Sequence, residues 1–383
     1  MKRRWAGPLA VLCIAVLAPA SASAAKKDKV PGDFYGAVLQ HTVGEYDAFL
    51  MQYAGMDTMR FHLNWGIVQS EPGRCQARAA TGVCNWEALD ALIGLLAKYR
   101  VRAFPYILNV PGFVDPDPNT PPIHSTADVR AYENWLDAAV RRYGQGGIYW
   151  RKFFEDQYPG SKALPITHWE VWNEPSDGSY WQPKPNAKEY AKLLKISGKA
   201  IHGANPKADV VFAGLFGTPD ETNDGIKAFK YYNKAFGVPG IGRYFDDIGV
   251  HPYGPTLKRL QIQMDWVLEE AKKAGFQNRD MWITEIAWSS SQPPSILGVG
   301  PEGQAQLLKK AFRLFEDKVK AWNVEGVHWY AWQDLPAPGL CEFCYESGLL
   351  TYSREPKPSY FAFSDMAGGK ARRGAPLARR PRD

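Results

Sequence analysis

The sequence is poor in long apolar runs, in histidine, in cysteine and in positive charge within its body, and each shortage excludes something. Beyond the first 25 residues nothing approaches the roughly 20 consecutive apolar residues of a spanning helix, so no stable membrane insertion is expected. The seven histidines stand singly, without the clusters a metal hydrolase needs. No metal and no organic cofactor is expected. Of the net charge of +6, the first 25 residues carry +3 and the segment from Lys370 carries +5, which leaves −2 for the body. A body of that sign is not built for nucleic acid. With 45% apolar and 22% charged residues, the chain is also neither disordered nor fibrous.

The first residues have their own pattern. Lys2, Arg3 and Arg4 precede a short apolar stretch from Leu9 to Leu17, and Ala22-Ser23-Ala24 is a small-residue cleavage pattern. Residues 1–24 read as a secretory signal, and the protein is expected to be secreted or held at the cell envelope. Leu12, just before Cys13, is too large for a lipoprotein cleavage site. Four cysteines then remain, and in an oxidising compartment they predict two disulfides, Cys75–Cys84 and Cys341–Cys344. At the other end, 368–383 reads as a basic disordered tail with a possible weak contact to an anionic envelope.

Between these ends strand and helix patterns alternate. Strands are predicted from Phe34 to Gln40, Thr58 to Trp65, Val101 to Leu108, Ile166 to Trp172, Asp209 to Leu215, Asp247 to His251, Met281 to Trp288 and Gly326 to Trp332. Amphipathic segments separate them. A capping box at Thr42-Val43-Gly44-Glu45 opens the first helix, Asn85 caps the next, and a helix is predicted from about Gly225 to Phe236. Eight such units predict an α/β fold, a (β/α)8 TIM barrel over 30–367. A doubly wound open sheet is the alternative, but it should carry a glycine-rich phosphate loop after an early strand, and none is visible.

A barrel puts its chemistry at the C-terminal strand ends. Two carboxylates qualify: Glu174, in Trp169-Glu170-Val171-Trp172-Asn173-Glu174-Pro175 after strand four, and Glu285, in Trp282-Ile283-Thr284-Glu285 on strand seven. Pro175 is expected to hold Glu174 extended, and the even spacing of Glu170 and Glu174 to point both the same way. Glu170 lies deeper and reads as structural. Strands four and seven face each other across the mouth, so the two carboxyls can meet there. That suits glycoside hydrolysis: about 5–5.5 Å between carboxyls retains the anomeric configuration, and about 6.5–9.5 Å inverts it.

These motifs resemble those of clan A glycoside hydrolases, retaining barrel enzymes that include the cellulase-like family 5 and the xylosidase-like family 39. There an Asn-Glu pair on strand four carries the acid/base, and a strand-seven Glu is the nucleophile. The resemblance covers the chain from about Phe34 to Met366. It implies that Glu174 is the acid/base and Glu285 the nucleophile. It also matches Arg60, in Arg60-Phe61-His62, to the strand-two arginine, His251-Pro252-Tyr253 to the strand-six His-x-Tyr, and Trp332, in Trp329-Tyr330-Ala331-Trp332, to the strand-eight tryptophan.

On this reading Arg60 and Tyr253 favour the charged form of Glu285. Burial and the charge of Glu285 raise the pKa of Glu174. Asn173 bonds a sugar 2-hydroxyl, Trp332 offers a flat face to the ring, and His251, like His62, touches substrate or only orients neighbours. Trp150, Tyr180, Trp181 and Trp288 either stack on further sugars or pack in the core. An aromatic groove would imply endo action on a polysaccharide, a closed pocket exo action, and the groove is favoured. The expected activity is therefore a secreted retaining O-glycosidase acting on a polysaccharide or oligosaccharide. The alternatives are a transglycosylase with the same residues and an inactive carbohydrate-binding barrel.

Overall fold

The computed structural model describes residues 30–216, 228–292, 297–336 and 341–375. The signal reading of 1–24, with Cys13, lies outside the described residues, as does the start of the helix expected from Gly225.

Eight parallel strands close into a barrel in sequence order: β1 (Tyr35–Val38), β2 (Thr58–Asn64), β3 (Arg102–Leu108), β4 (His168–Val171), β5 (Asp209–Phe212), β6 (Asp247–Val250), β7 (Met281–Ile286) and β8 (Val324–Trp329). Pairing of β8 with β1, Val327 opposite Tyr35, completes the ring. A helix follows each strand: α1 (Glu45–Tyr53), α2 (Glu87–Lys98), α3 (Thr126–Tyr143), α4 (Ala187–Ala204), α5 (Ala228–Phe236), α6 (Leu257–Lys273), α7 (Gly300–Trp322) and α8 (Pro358–Ala367). The fold is a (β/α)8 barrel. Short helices such as Trp65–Val68 and Ile148–Lys152 fill loops in which the sequence showed no periodicity. None of the helices in the described residues is long and apolar enough to cross a membrane.

The strands are short and nearly continuous in burial because helices cover one face and the barrel interior the other. Helix starts are fixed by side chains that accept orphan amides: Ser125 from Asp128 at α3, Asn186 from Lys188 and Glu189 at α4, and Thr256 from Arg259 at α6. The first helix starts two residues later than Thr42-Glu45 implied. Gly44 is its N-cap, and Asp47 reaches back to the Gly44 amide at 2.9 Å. Asn85 does accept an amide, that of Glu87, from one position before the cap. Both expected disulfides are present, with Cα–Cα distances of 5.2 Å for Cys75–Cys84 and 5.3 Å for Cys341–Cys344.

The expected disorder of the tail is corrected for its first part. Gly369 and Lys370 donate backbone bonds to Ser364 and Tyr53, Ala371 is buried, and the Arg373 guanidinium forks onto both oxygens of Glu302. Burial of Ala371 against the barrel outweighs the basic composition there. Residues 376–383 lie outside the described residues.

Candidate active site

Arg60, on β2, organises the upper barrel. Its Nε donates to Glu170 Oε2 at 2.6 Å, Nη1 to Glu285 Oε1 at 2.6 Å, and Nη2 to Asn173 Oδ1 at 2.8 Å. The guanidinium also lies over the Tyr106 ring, 4.1 Å from its centroid. Fully buried and fully paired, it joins strands two, four and seven in one charge-assisted network. Glu170 turns its other oxygen to the Gly214 amide at 3.0 Å and is therefore structural, as expected.

Glu285, the last residue but one of β7, has both oxygens held: Oε1 by Arg60, and Oε2 by the Tyr253 hydroxyl, which donates at 2.9 Å. Tyr253 is itself packed between the rings of Phe216 and Phe343. This is the environment that the sequence assigned to Arg60 and Tyr253.

Glu174 sits differently. β4 stops at Val171, and the backbone then turns left-handed at Trp172 (φ 77°) and again at Glu174 (φ 42°). The extended geometry expected from Pro175, and with it the parity argument with Glu170, is thereby corrected. Non-glycine residues in this region store on the order of 1–3 kcal/mol each. The surroundings hold them: the Trp172 indole donates to the Tyr180 carbonyl at 2.7 Å, and the Glu174 amide to the Gly214 carbonyl at 3.2 Å. A side chain at 214 would strike the His251 ring at 2.3 Å, so glycine is required at that close approach.

Burial raises the Glu174 carboxyl to about 8, and Asp177 adds to it while Arg60 opposes. The sequence had credited Glu285 with the electrostatic part. The neighbour that matters is Asp177, in the same turn, whose amide donates to the Glu174 carbonyl. Its place three residues after Glu174 was the available signal.

His251 is fully buried, and its Nδ1 lies 2.6 Å from Glu174 Oε1. Burial pushes its pKa down to about 4 despite the nearby Glu285. It stands as a neutral imidazole bonded to Glu174. His62 is also neutral, lowered by burial to about 4, and lies flat on Tyr106 at 5.2 Å.

Trp332 is not a platform. It is 1% exposed and packs edge-on against Tyr360 of α8, while its amide bonds Val38. Because β8 stops at Trp329, the residue brought beside the carboxylates is Tyr330, whose hydroxyl is raised by burial and by the charges of Glu285 and Glu174. Trp332→Ala is accordingly expected to cost about 3–5 kcal/mol of stability, read by urea unfolding. A loss below roughly 1 kcal/mol would be too small for a buried ring and would return Trp332 to the site surface. Trp150, Trp181 and Trp288 are likewise buried. Of the four candidate stacking residues only Tyr180 stands near the pair, its hydroxyl raised by burial and then by Glu174 and Glu285. Tyr106, Tyr180, Tyr253 and Tyr330 thus lie near the carboxylates, and the three buried tryptophans do not line a groove.

Glu174, His251 and Glu285 each place one ligand atom within 4.8 Å of the others. Glu174 and His251 also bond to each other, at 2.6 Å.

No family model matches the chain. A curated beta-xylosidase of Geobacillus stearothermophilus is 21% identical over 249 residues, 61% of this chain and 45% of that protein. The chain thus spans less than half the length of that relative. Among solved structures, a family 39 glycoside hydrolase from Bacteroides cellulosilyticus superposes with a TM-score of 0.61 at 20% identity, covering 89% of this chain and 64% of the other. A monomeric beta-xylosidase from Caulobacter crescentus gives 0.58 at 18%, covering 88% and 68%. A GH5_18 from Bifidobacterium longum subsp. infantis gives 0.56 at 13%, covering 84% and 72%. The protein has the barrel fold of family 39 and family 5 glycoside hydrolases, the class its motifs resemble.

Proposed function

We propose that the protein is a retaining glycoside hydrolase, with Glu285 as nucleophile and Glu174 as acid/base. The observation that carries this is the pair itself: an oxygen of each lies within 4.8 Å of the other, in opposite electrostatic settings. Glu285 faces a guanidinium and a phenol, and Glu174 is buried and raised to about 8. The separation fits the short class, about 5–5.5 Å between carboxyls, and leaves no room for the water that inversion places between them.

In the first step a Glu285 oxygen bonds to the anomeric carbon. The glycosidic bond breaks, and its electron pair takes the Glu174 proton. The sugar is then esterified to Glu285, and Glu174, now ionised, removes a proton from water as it attacks the anomeric carbon and the ester bond breaks, returning Glu285 as a carboxylate. Asn173, its carbonyl spent on Arg60, has its amide NH2 left for the sugar 2-hydroxyl. A β-xyloside is the first substrate to test. A transglycosylase would share every residue and differ in what resolves the ester. An inactive binding barrel would have no use for two carboxyls held so differently. Secretion through a leader at 1–24 belongs to the same reading, which the two disulfides support.

The test is hydrolysis of an aryl β-xyloside followed by NMR. The sugar is expected to appear first as the β-anomer, and a 2-deoxy-2-fluoro analogue is expected to label Glu285 in peptide mapping. A first-formed α-anomer, or a label elsewhere, overturns the assignment.

A further inference from the structure

Tyr253 donates the bond that holds Glu285 Oε2, and its own ring is packed by a loop that has no part in the proton transfers. We propose that Phe343, carried on the Cys341–Cys344 loop after β8, is a positioning residue for the nucleophile: it fixes the Tyr253 ring and, through its hydroxyl, the carboxylate of Glu285. This inference rests on the reading of Glu285 as nucleophile.

Arg60 holds Oε1 of Glu285, and among the described residues only the Tyr253 hydroxyl donates to Oε2. The backbone of Tyr253 is fixed, its amide bonded to the His251 carbonyl at 2.9 Å and its carbonyl to the Gln263 side chain of α6. That does not fix the hydroxyl. It stands at the far end of the side chain, so a small swing about the Cα–Cβ bond carries it off Oε2 while the backbone stays in place. A hydrogen bond weakens steeply as it bends. The ring is held by three others: His251 edge-on at 6.4 Å between centroids, Phe216 at 5.6 Å and Phe343 at 5.3 Å. His251 and Phe216 belong to the barrel mouth, their backbones bridged to each other. Phe343 comes from outside it.

The Phe343 loop is built to keep one shape. Its short 3-10 turn, Glu342–Glu346, is anchored at the far end. The Glu346 carbonyl accepts from the Ser290 amide at 2.8 Å, from Gln304 Nε2 of α7 at 3.1 Å and from Lys357 Nζ at 2.9 Å. The Ser347 carbonyl accepts from the Trp329 indole at 2.9 Å. Among the described residues, 341–343 make no hydrogen bond to another element. Their bonds stay within the loop: the Cys344 amide to the Cys341 carbonyl, and the Ser347 hydroxyl to the Phe343 carbonyl at 2.6 Å. The Cys341–Cys344 disulfide spans Phe343 and ties this end to the anchored one. Such a cross-link removes conformations from the chain it closes. The half-buried Phe343 ring is thereby kept on Tyr253.

The test uses the full chain carrying isotope-labelled tyrosine, with an aryl β-xyloside as substrate. Phe343→Ala trims a half-buried ring and should fold, which circular dichroism checks. It is expected to lower kcat and kcat/KM together by about tenfold with KM unchanged, because the loss acts through the nucleophile in the transition state. Phe343→Tyr is expected to restore the rate. In a Tyr253→Phe background, which lacks the hydroxyl, Phe343→Ala is expected to cost less than about twofold. Cys341→Ser together with Cys344→Ser opens this bridge, leaves Cys75–Cys84 closed, and is expected to reproduce Phe343→Ala. It carries the same readouts should Phe343→Ala fail to fold. The Tyr253 NMR resonance, assigned by its absence in Tyr253→Phe, is expected to shift in both. An unmoved resonance overturns the inference, as does unchanged turnover or an equal loss with and without the Tyr253 hydroxyl. A raised KM at unchanged kcat also overturns it, and would make Phe343 a substrate contact. A shifted resonance in a protein that hydrolyses no glycoside would instead overturn the reading of Glu285 as nucleophile, leaving Phe343 as what fixes Tyr253.

Discussion

Glu285→Ala is expected to lower kcat on an aryl β-xyloside by about 10⁴-fold or more, as removal of a covalent nucleophile does elsewhere. Substrate affinity should change little, because the carboxylate acts on the anomeric carbon and not on the hydroxyls that bind. The fold should survive. Arg60 retains Glu170 and Asn173, so its charge stays paired, and the Tyr253 hydroxyl loses one acceptor. Circular dichroism and Tm check this separately from turnover. Azide added to the variant would have to enter from the vacated face, so any rescued product should be the inverted α-glycosyl azide. A variant with near-normal turnover, or a rescued product of retained configuration, would remove Glu285 from the role of nucleophile.

Much of this site was legible because its signals are local. Trp172-Asn173-Glu174-Pro175 and Trp282-Ile283-Thr284-Glu285 end predicted strands, and a barrel admits few places where two strand ends face each other. The strands themselves were readable as short apolar runs, and all but β3, which ends at Leu108 as predicted, ran one to three residues too far into the following loop. That overrun explains the clearest error. Ending β8 at residue 332 puts Trp332 at the mouth, whereas ending it at Trp329 puts Tyr330 there and turns Trp332 back onto Tyr360. Which aromatic faces a ligand thus depends on a boundary that periodicity does not fix. The same holds for Trp150, Trp181 and Trp288, whose burial is set by the helices that cover them. The local geometry expected of Glu174 was wrong. Tertiary bonds from Trp172 and to Gly214 override the preference that Pro175 imposes on its predecessor.

The electrostatic design follows from one side chain having three donor nitrogens. Arg60 gives one to Glu170, one to Glu285 and one to Asn173, and none to Glu174. Two carboxyls in one small space therefore see different fields. Glu174 has instead a neutral imidazole and the charge of Asp177. Burial and the charge of Asp177 outweigh Arg60 and favour the protonated form of Glu174.

That asymmetry sets the second large effect. Glu174→Ala is expected to lower kcat/KM by about 10²–10⁴-fold for substrates with poor leaving groups, which need the proton. Aryl glycosides with acidic phenols depart unaided, so for them kcat/KM should fall far less. Breakdown of the ester would still lack its base, so kcat and KM should drop together as the intermediate accumulates. Here azide enters from the unobstructed side of the ester, and the rescued product should be retained. The pH profile gives a second readout. With the carboxyl at about 8, the acid form prevails below that pH and is lost above it. The kcat/KM of the unaltered protein on a poor leaving group should therefore decline as pH rises through about 8. In Glu174→Ala that alkaline limb should vanish. Equal losses across leaving groups, together with an unmoved limb near 8, would mean that another group supplies the proton. Tyr330 and Tyr180 would then be the hydroxyls to examine first, since both lie close enough to feel the charge of Glu174 and Glu285.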